Sequence, residues 1–420
     1  MPTPAQIDEQ INHERDAIAQ GLKKLRENTK RLEEKEYASA SVYGIVSIDQ
    51  LLPVVVDRIK ETNKRIHEGD IGVSFREIKQ YLSDVEPLAA AAIACKITID
   101  KVFSFKEESD QITNVCDAIG TGVEQECQMR YYEKAAPGLL KVLKDNYWHR
   151  ATGTAYKIKK IQTIWNRCDV EEWKPWGRSN RVKLGGWLLD CILQTSGWFA
   201  KEISIKHGKK NNYIVPTESF EAIKSKVMHD AELFCPLAWP MLIEPNDWST
   251  EKPGGYLLNE VMKGHDMVRR GGASCIQGEK PIAFLNKIQK VAYTLNPFTV
   301  EVSEILERQG IPVGKFRPIV QHPHPPKPVD IAENYESRKR YRREFARAED
   351  EQKQEPKRNC RTRMTMETVE RFKDKDKFYI PWSFDYRGRI YPIPAFLTPQ
   401  DTDWGKSLLR FHEESFMDEE

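Results

Sequence analysis

The stretch Phe378-Tyr379-Ile380-Pro381-Trp382-Ser383-Phe384-Asp385-Tyr386-Arg387-Gly388-Arg389-Ile390-Tyr391-Pro392 organises the reading of this chain. Its first half is apolar and aromatic and reads as a buried strand. Gly388 then breaks the pattern between two arginines. Glycine suits a position where backbone must approach another molecule closely. Arginine suits phosphate, because its planar fork donates paired hydrogen bonds and keeps its charge. Asp385 is placed to hold one guanidinium in a fixed rotamer. The set reads as an anion clamp at the end of a strand. A β-turn with two solvated arginines and a local salt bridge fits the same residues.

The rest of the chain bounds the choice. With 420 residues it has room for two or three domains and a sizeable core. Charged residues make up 30% and mean hydropathy is −0.63, which excludes a membrane-embedded class. No apolar run approaches a membrane span, and the N-terminus is polar where a secretory signal would be apolar. Lys+Arg number 65 against 63 Asp+Glu, so charge placement matters and net charge does not. None of the eight cysteines forms a C-x-x-C pair. Most have apolar neighbours and read as buried free thiols of a reducing cytoplasm. No P-loop, Rossmann fingerprint, H-E-x-x-H or G-x-S-x-G occurs. No carboxylate pair suits two catalytic metals; Asp401 and Asp403 read as turn residues.

Helical periodicity predicts helices over about Ala5–Glu36, Leu51–Arg65 with Pro53 in the first turn, Phe75–Leu82, Ala89–Phe103, Asn114–Tyr132 with Gly120 and Gly122 as close-packing points, and Lys157–Trp165. A Trp-rich loop, Glu171–Ser179, opens a helix over Arg181–Thr195. Glu202–Ile205 and Tyr213–Val215 read as strands of a hairpin whose turn is His207–Asn212. Such a basic tip suits a DNA groove or an opened base; an ordinary surface hairpin is the alternative. Pro236–Tyr256 reads as an irregular loop packed over the core. Helices are predicted over Pro281–Leu295, Phe298–Arg308, Ile331–Asp350 and Thr365–Lys373, with an extended Pro-rich segment, Ile311–Pro328, among them. His322-Pro323-His324 has no carboxylate or Cys close in sequence and is not read as a metal site. Arg338, Arg342, Arg343 and Arg347 recur at three- and four-residue spacing, as a phosphate-tracking stripe or a solvated face.

Phe378–Leu409 resembles the start of the palm in phage-type single-subunit RNA polymerases. The order of features is the same: the aromatic run, Asp385-Tyr386-Arg387-Gly388-Arg389, Tyr391, Thr398-Pro399-Gln400, Lys406 and Leu408-Leu409. Ala91–Val102, Ala118-Ile119-Gly120, Trp173–Gly197 and Pro253-Gly254-Gly255-Tyr256 resemble the N-terminal domain of that family more weakly. The resemblance implies a mainly α fold: a helical N-terminal promoter-binding domain with a β-hairpin over residues 1–280, a helical thumb over 281–377, and the first strands of an α/β palm over 378–420. It implies that Asp385, Arg387, Gly388, Arg389, Tyr391 and Lys406 contact template or hybrid. Lys206, His207, Lys209, Lys210 and Asn211 would form the promoter hairpin, and the arginine stripe would lie on the thumb. The family's hairpin carries an apolar wedge at its tip, where this chain has Lys209, Lys210 and Asn211. The implied reaction is DNA-templated nucleotidyl transfer with Mg2+. Its implied partners are double-stranded promoter DNA, the RNA–DNA hybrid and nucleoside triphosphates, with no membrane. The implied protein is a monomer in the cytoplasm, the host's if phage-encoded. The catalytic aspartates of that family would lie downstream of Glu420. A non-catalytic DNA-binding accessory protein, or a natural split-polymerase subunit, is the alternative.

Overall fold

In the computed structural model, residues 2–69, 78, 80–82, 85–143, 145, 163, 173–206, 209–271 and 277–413 are described. The fold is mainly α with small antiparallel sheets. The chain divides into two compact units, Lys24–Glu232 and Met1–Lys23 with Leu233–Glu420. The first helix, α1 (Pro4–Glu34), contributes to both.

The unit Lys24–Glu232 is built on α2 (Val42–Glu68), α3 (Pro87–Val102), α4 (Ile112–Ala135), a short α5 (Leu139–Leu143) and α6 (Arg178–Ser196). Its core joins Val55 and Ile59 of α2, the alanines and Ile99 of α3, Val115, Ile119 and Val123 of α4, and Leu184, Leu188 and Ile192 of α6. Helix α2 begins nine residues before Leu51, so Pro53 lies in its interior and not in its first turn. The start is set by Ser41, whose Oγ accepts the Gly44 N–H at 3.1 Å. Helices α4 and α6 approach backbone to backbone. A Cβ on Gly120 would overlap the Arg181 carbonyl, and one on Gly185 would overlap the Cys116 carbonyl. Gly122 faces the side chains of Ile93 and Ile97 on α3. Cys95, Cys116 and Cys191 are buried free thiols, and Cys127 is buried as well.

After α6 the chain forms an antiparallel hairpin, β1 (Phe199–Lys206) and β2 (Lys209–Pro216), in register from Phe199↔Pro216 to Lys206↔Lys209, and then α7 (Glu218–Glu232). Both strands are longer than predicted. Lys209, Lys210 and Asn211 therefore belong to the ladder, opposite Lys206, Ile205 and Ser204, and not to the turn. His207 and Gly208 lie outside the described residues, as do the segment Lys157–Trp165, apart from residue 163, and most of Phe75–Leu82.

The second unit holds a short α8 (Asn259–Met262), α9 (Glu279–Gln289), β3 (Ala292–Leu295), α10 (Pro297–Gln309), α11 (Tyr335–Arg358), α12 (Cys360–Phe372), β4 (Phe378–Tyr379), β5 (Trp382–Phe384), β6 (Ile390–Pro392), α13 (Asp403–Ser407) and β7 (Leu409–Phe411). The helix predicted over Pro281–Leu295 stops at Gln289, and Ala292–Leu295 is the middle strand of the sheet β4-β3-β7. Tyr293 is buried there and stacks on Phe378. The predicted single strand Phe378–Phe384 is two strands. Pro381 has no N–H to donate and its carbonyl accepts from Ile393, so the ladder changes partner at that point. The irregular segment Pro236–Tyr256 packs on this core as predicted: Met241 and Tyr379 exchange two backbone hydrogen bonds of 2.7 Å, and Trp248 Nε1 donates to the Trp382 carbonyl.

Helix α1 enters the same core. His13 packs between the rings of Trp239 and Phe372, and its Nε2 lies 3.1 Å from the Pro240 carbonyl. Burial lowers its pKa to about 4, opposed by that hydrogen bond. The unfolded chain binds the extra proton first, so the contribution of neutral His13 is intact above pH 6.5. It is lost as pH falls towards 4, by about 3 kcal/mol in all. Urea midpoints at pH 7 and pH 4.5 check this: His13→Phe should flatten the pH dependence. Gly185→Ala should cost about 2 kcal/mol, because α4 and α6 must separate to admit a methyl group; an unchanged melting temperature would contradict the close approach.

Candidate nucleic-acid interface

The turn between β5 and β6 is Asp385–Arg389, with a local salt bridge from Asp385 to Arg387. It is a closed turn: the Asp385 N–H donates to the Arg389 carbonyl at 2.7 Å, and the Gly388 N–H to the Asp385 carbonyl at 3.0 Å. Asp385 Oδ1 accepts the backbone N–H groups of Arg387 and Arg389, each at 2.9 Å. Its Oδ2 takes the Arg387 guanidinium at 3.2 Å. Partial burial pushes the carboxyl pKa up. The two amides and the Arg387 guanidinium outweigh that and hold it below the usual carboxylate range. Gly388 has φ +79°, the conformation the turn requires, with open space where a Cβ would stand.

The turn leaves its cations outside. Arg387 is half exposed, and Arg389 is exposed with no ion pair among the described residues. Asp385 thus fixes Arg387 through its side chain but Arg389 only through its backbone. Tyr391 follows on β6, paired with Ser383. Lys406 lies on the separate short helix α13 and pairs with Asp403 at 3.6 Å. Asp401 is more than a turn residue: it is buried and bonds Arg361 of α12 at 2.7 Å.

A second segment supports the hairpin. Val268 bridges Phe384 in parallel, the Phe384 N–H donates to the Met267 carbonyl at 2.7 Å, and the Arg269 N–H donates to the Phe384 carbonyl at 2.8 Å. The Arg269 side chain then crosses both strands. Its Nε donates to Ser383 Oγ on β5 at 3.0 Å, its Nη2 to the Pro392 carbonyl on β6, and its guanidinium lies 5.1 Å from the Tyr391 ring centre. Sequence reasoning passed over Arg269. The available signal was Arg269-Arg270-Gly271, the same residue types as Arg387-Gly388-Arg389.

The other expected contacts are spread out. On α11, Arg338 is bonded to the carbonyls of Ile331 and Ala332, and Arg347 pairs with Glu351 at 2.9 Å. Arg342 and Arg343 are exposed and unpaired among the described residues. The helix starts at Tyr335, where Asn334 accepts the Glu336 and Ser337 N–H groups, and runs on to Arg358. Glutamates distant in sequence reach the two histidines of the Pro-rich segment: His322 lies 3.2 Å from Glu355, and His324 lies 2.6 Å from Glu349. These are hydrogen-bonded pairs, and no group of three His, Cys, Asp or Glu among the described residues could hold a metal. On the β1–β2 hairpin, Phe199, Tyr213 and Ile214 are buried near its base, while Ile203 and Ile205 are 59% and 72% exposed towards the tip. Lys210 faces Ile205 across the ladder.

Asp385→Ala should speed amide exchange at Arg387 and Arg389 by about tenfold, the effect of losing a shared hydrogen-bond acceptor. Unchanged exchange would mean that the turn holds without its carboxylate.

The sequence pattern of the family described as DNA-directed RNA polymerase N-terminal matches residues 9–271. T7 RNA polymerase of Escherichia phage T7 is 22% identical over 86% of this chain and 42% of its own length. DNA-directed RNA polymerase 1B, mitochondrial, of Nicotiana tabacum is 23% identical over 61% of this chain and 28% of its own. The chain spans less than half the length of these curated relatives. None of the described helices is long and apolar enough to cross a membrane. The chain belongs to the phage-type single-subunit DNA-directed RNA polymerase family, through that family's N-terminal region.

Proposed function

We propose that this chain is the nucleic-acid-holding part of a DNA-directed RNA polymerase that transcribes a DNA template by nucleotidyl transfer. In that reaction the RNA 3′-hydroxyl attacks the α-phosphate of a nucleoside triphosphate and pyrophosphate leaves. The part assigned to this chain is the grip. The observation that carries it is the Asp385–Arg389 turn, braced internally by a carboxylate and from the side by Arg269, with Arg387 and Arg389 turned to solvent. A pre-ordered guanidinium, such as that of Arg387, binds phosphate without first giving up rotamer freedom. Arg387 and Arg389 grip phosphates of the template strand or the RNA–DNA hybrid, and Asp385 sets their spacing.

Residues 1–280 act in promoter binding, 281–377 as a thumb over the hybrid, and 378–420 as the start of the palm. Arg342 and Arg343 support the thumb assignment, since they alone of the four-residue stripe have no internal partner among the described residues. The hairpin meets promoter DNA with Ile203 and Ile205 flanked by Lys210, which gives it an apolar surface beside its base pairing-independent charge. The Mg2+ implied by this reaction has no fitting set of ligands among the described residues. This chain's own residues bind and orient.

Arg389→Ala tests the grip. Binding of the chain to a short RNA–DNA hybrid, followed by fluorescence anisotropy over a salt series, should weaken, and the slope of log K against log salt should fall by about one phosphate contact. An unchanged slope sinks the assignment.

A further inference from the structure

The Pro-rich segment between α10 and α11 crosses the joint between α11 and α12. Over Phe316–His324 it is an extended strap with an inner and an outer face. Phe316 and Pro318 are buried and Val320 and His322 half-buried, while Arg317, Ile319, Gln321 and Pro323 between them are exposed. Phe316 fixes one end against Trp404 of α13, with ring centres 5.0 Å apart. Side chains of both helices then pin the strap. The Arg317 N–H donates to Thr362 Oγ1 of α12 at 3.0 Å. The Val320 N–H donates to Glu355 of α11 at 3.4 Å, and the His322 N–H to Gln352 at 2.9 Å. The His322 ring sits between two carboxylates, its Nδ1 3.4 Å from Glu351 and its Nε2 3.2 Å from Glu355. His324 meets Glu349 at 2.6 Å and stacks on Phe345, with ring centres 4.2 Å apart. Glu349, Gln352, Glu355 and Thr362 fall on one helical stripe that runs through the joint. The lengths agree: extended chain from Arg317 to His324 reaches about 22 Å, and the helical rise from Glu349 to Thr362 is about 20 Å.

The joint is weak by itself. Pro356 lies inside α11, has no N–H for the Gln352 carbonyl, and crowds the preceding turn with its ring. The chain bends at Asn359, which ends α11 and opens α12. Of the residues of α11 only Glu355 is buried, so the rest of this long helix takes little support from a core. We propose that residues 316–324 are a releasable splint: with the strap pinned, α11 and α12 act as one rod, and with the histidine pins drawn the joint at Pro356–Asn359 opens and frees α11 as an arm. Beyond Val320 the pins are polar and partly exposed, and such contacts open at a much lower free energy than the apolar packing around Phe316. This inference is independent of the nucleic-acid reading, and its test contains no nucleic acid.

The test is amide hydrogen exchange on the whole chain, read by mass spectrometry in peptides covering the strap (317–324), the joint (350–362) and the core strands (378–384). His322→Ala combined with His324→Ala draws both pins. Exchange in the strap and in the joint should then rise by about tenfold, the effect of losing hydrogen bonds to carboxylates, while the core strands keep their wild-type protection. Adding Pro356→Ala gives the joint back its helical hydrogen bond. In that triple variant the joint should regain its protection while the strap stays open. Four outcomes overturn the proposal. Neither strap nor joint changes in the double variant, so the histidines are not pins. The strap opens and the joint does not, so the strap splints nothing. Strap, joint and core strands all rise together, so the histidines serve global stability alone. The joint stays open in the triple variant, so its weakness does not lie at Pro356.

Discussion

One oxygen of Asp385 accepts the amide protons of both Arg387 and Arg389, and the shape of the turn depends on this shared acceptor. Two N–H groups aimed at one point force the intervening backbone to curl, and Gly388 absorbs the curl at φ +79°. The side chains on either side are then thrown outward. A neutral acceptor would hold the amides less tightly than a carboxylate does, and a non-glycine at 388 would carry strain in the same place. The motif is therefore a structural unit first. One oxygen of its acid is used up on backbone and the other on Arg387, which leaves Arg389 without a side-chain partner among the described residues.

That unit would be a free two-stranded hairpin, marginal by itself, without the segment Met267–Arg269. The parallel pairing of that segment with Phe384 adds a third edge, and the Arg269 side chain bonds to both strands from one side. Trp382 and Phe384 fill the core beneath. The turn is thus mounted on buried aromatic mass.

Much of this was legible in the sequence. The aromatic run ahead of Asp385 reads as buried strand because apolar residues without helical spacing have few other uses. The helical N-terminal part, its glycine contacts and the packed Trp/Pro loop are legible for the same local reasons. What was not legible depends on partners far along the chain. Ala292–Leu295 carries no signal that separates a helix end from a strand; Phe378 and Leu409 decide it by pairing on either side. Arg269 reads as one more surface arginine until Ser383 and Pro392 are brought to it. The hairpin strands are longer than their alternation suggests, because Lys209–Asn211 is polar on both faces yet still pairs. The exposed apolar side chains of the hairpin stand along β1, as Ile203 and Ile205.

Helix α11 shows why charge counted along a sequence overstates what a surface offers. Four arginines at helical spacing suggest a continuous stripe. In the fold, Arg338 closes the loop that precedes the helix by bonding two of its carbonyls, and Arg347 faces Glu351 one turn on. Both are drawn into the helix's own architecture, and a phosphate would have to compete with those partners. Arg342 and Arg343, between them, meet no such competitor among the described residues. A basic helix therefore presents the charges its own backbone and acids leave unclaimed, and these are adjacent in sequence, so they project about 100° apart around the axis. Such a pair suits two strands or two turns of a backbone passing on different sides better than one phosphate row along a single face.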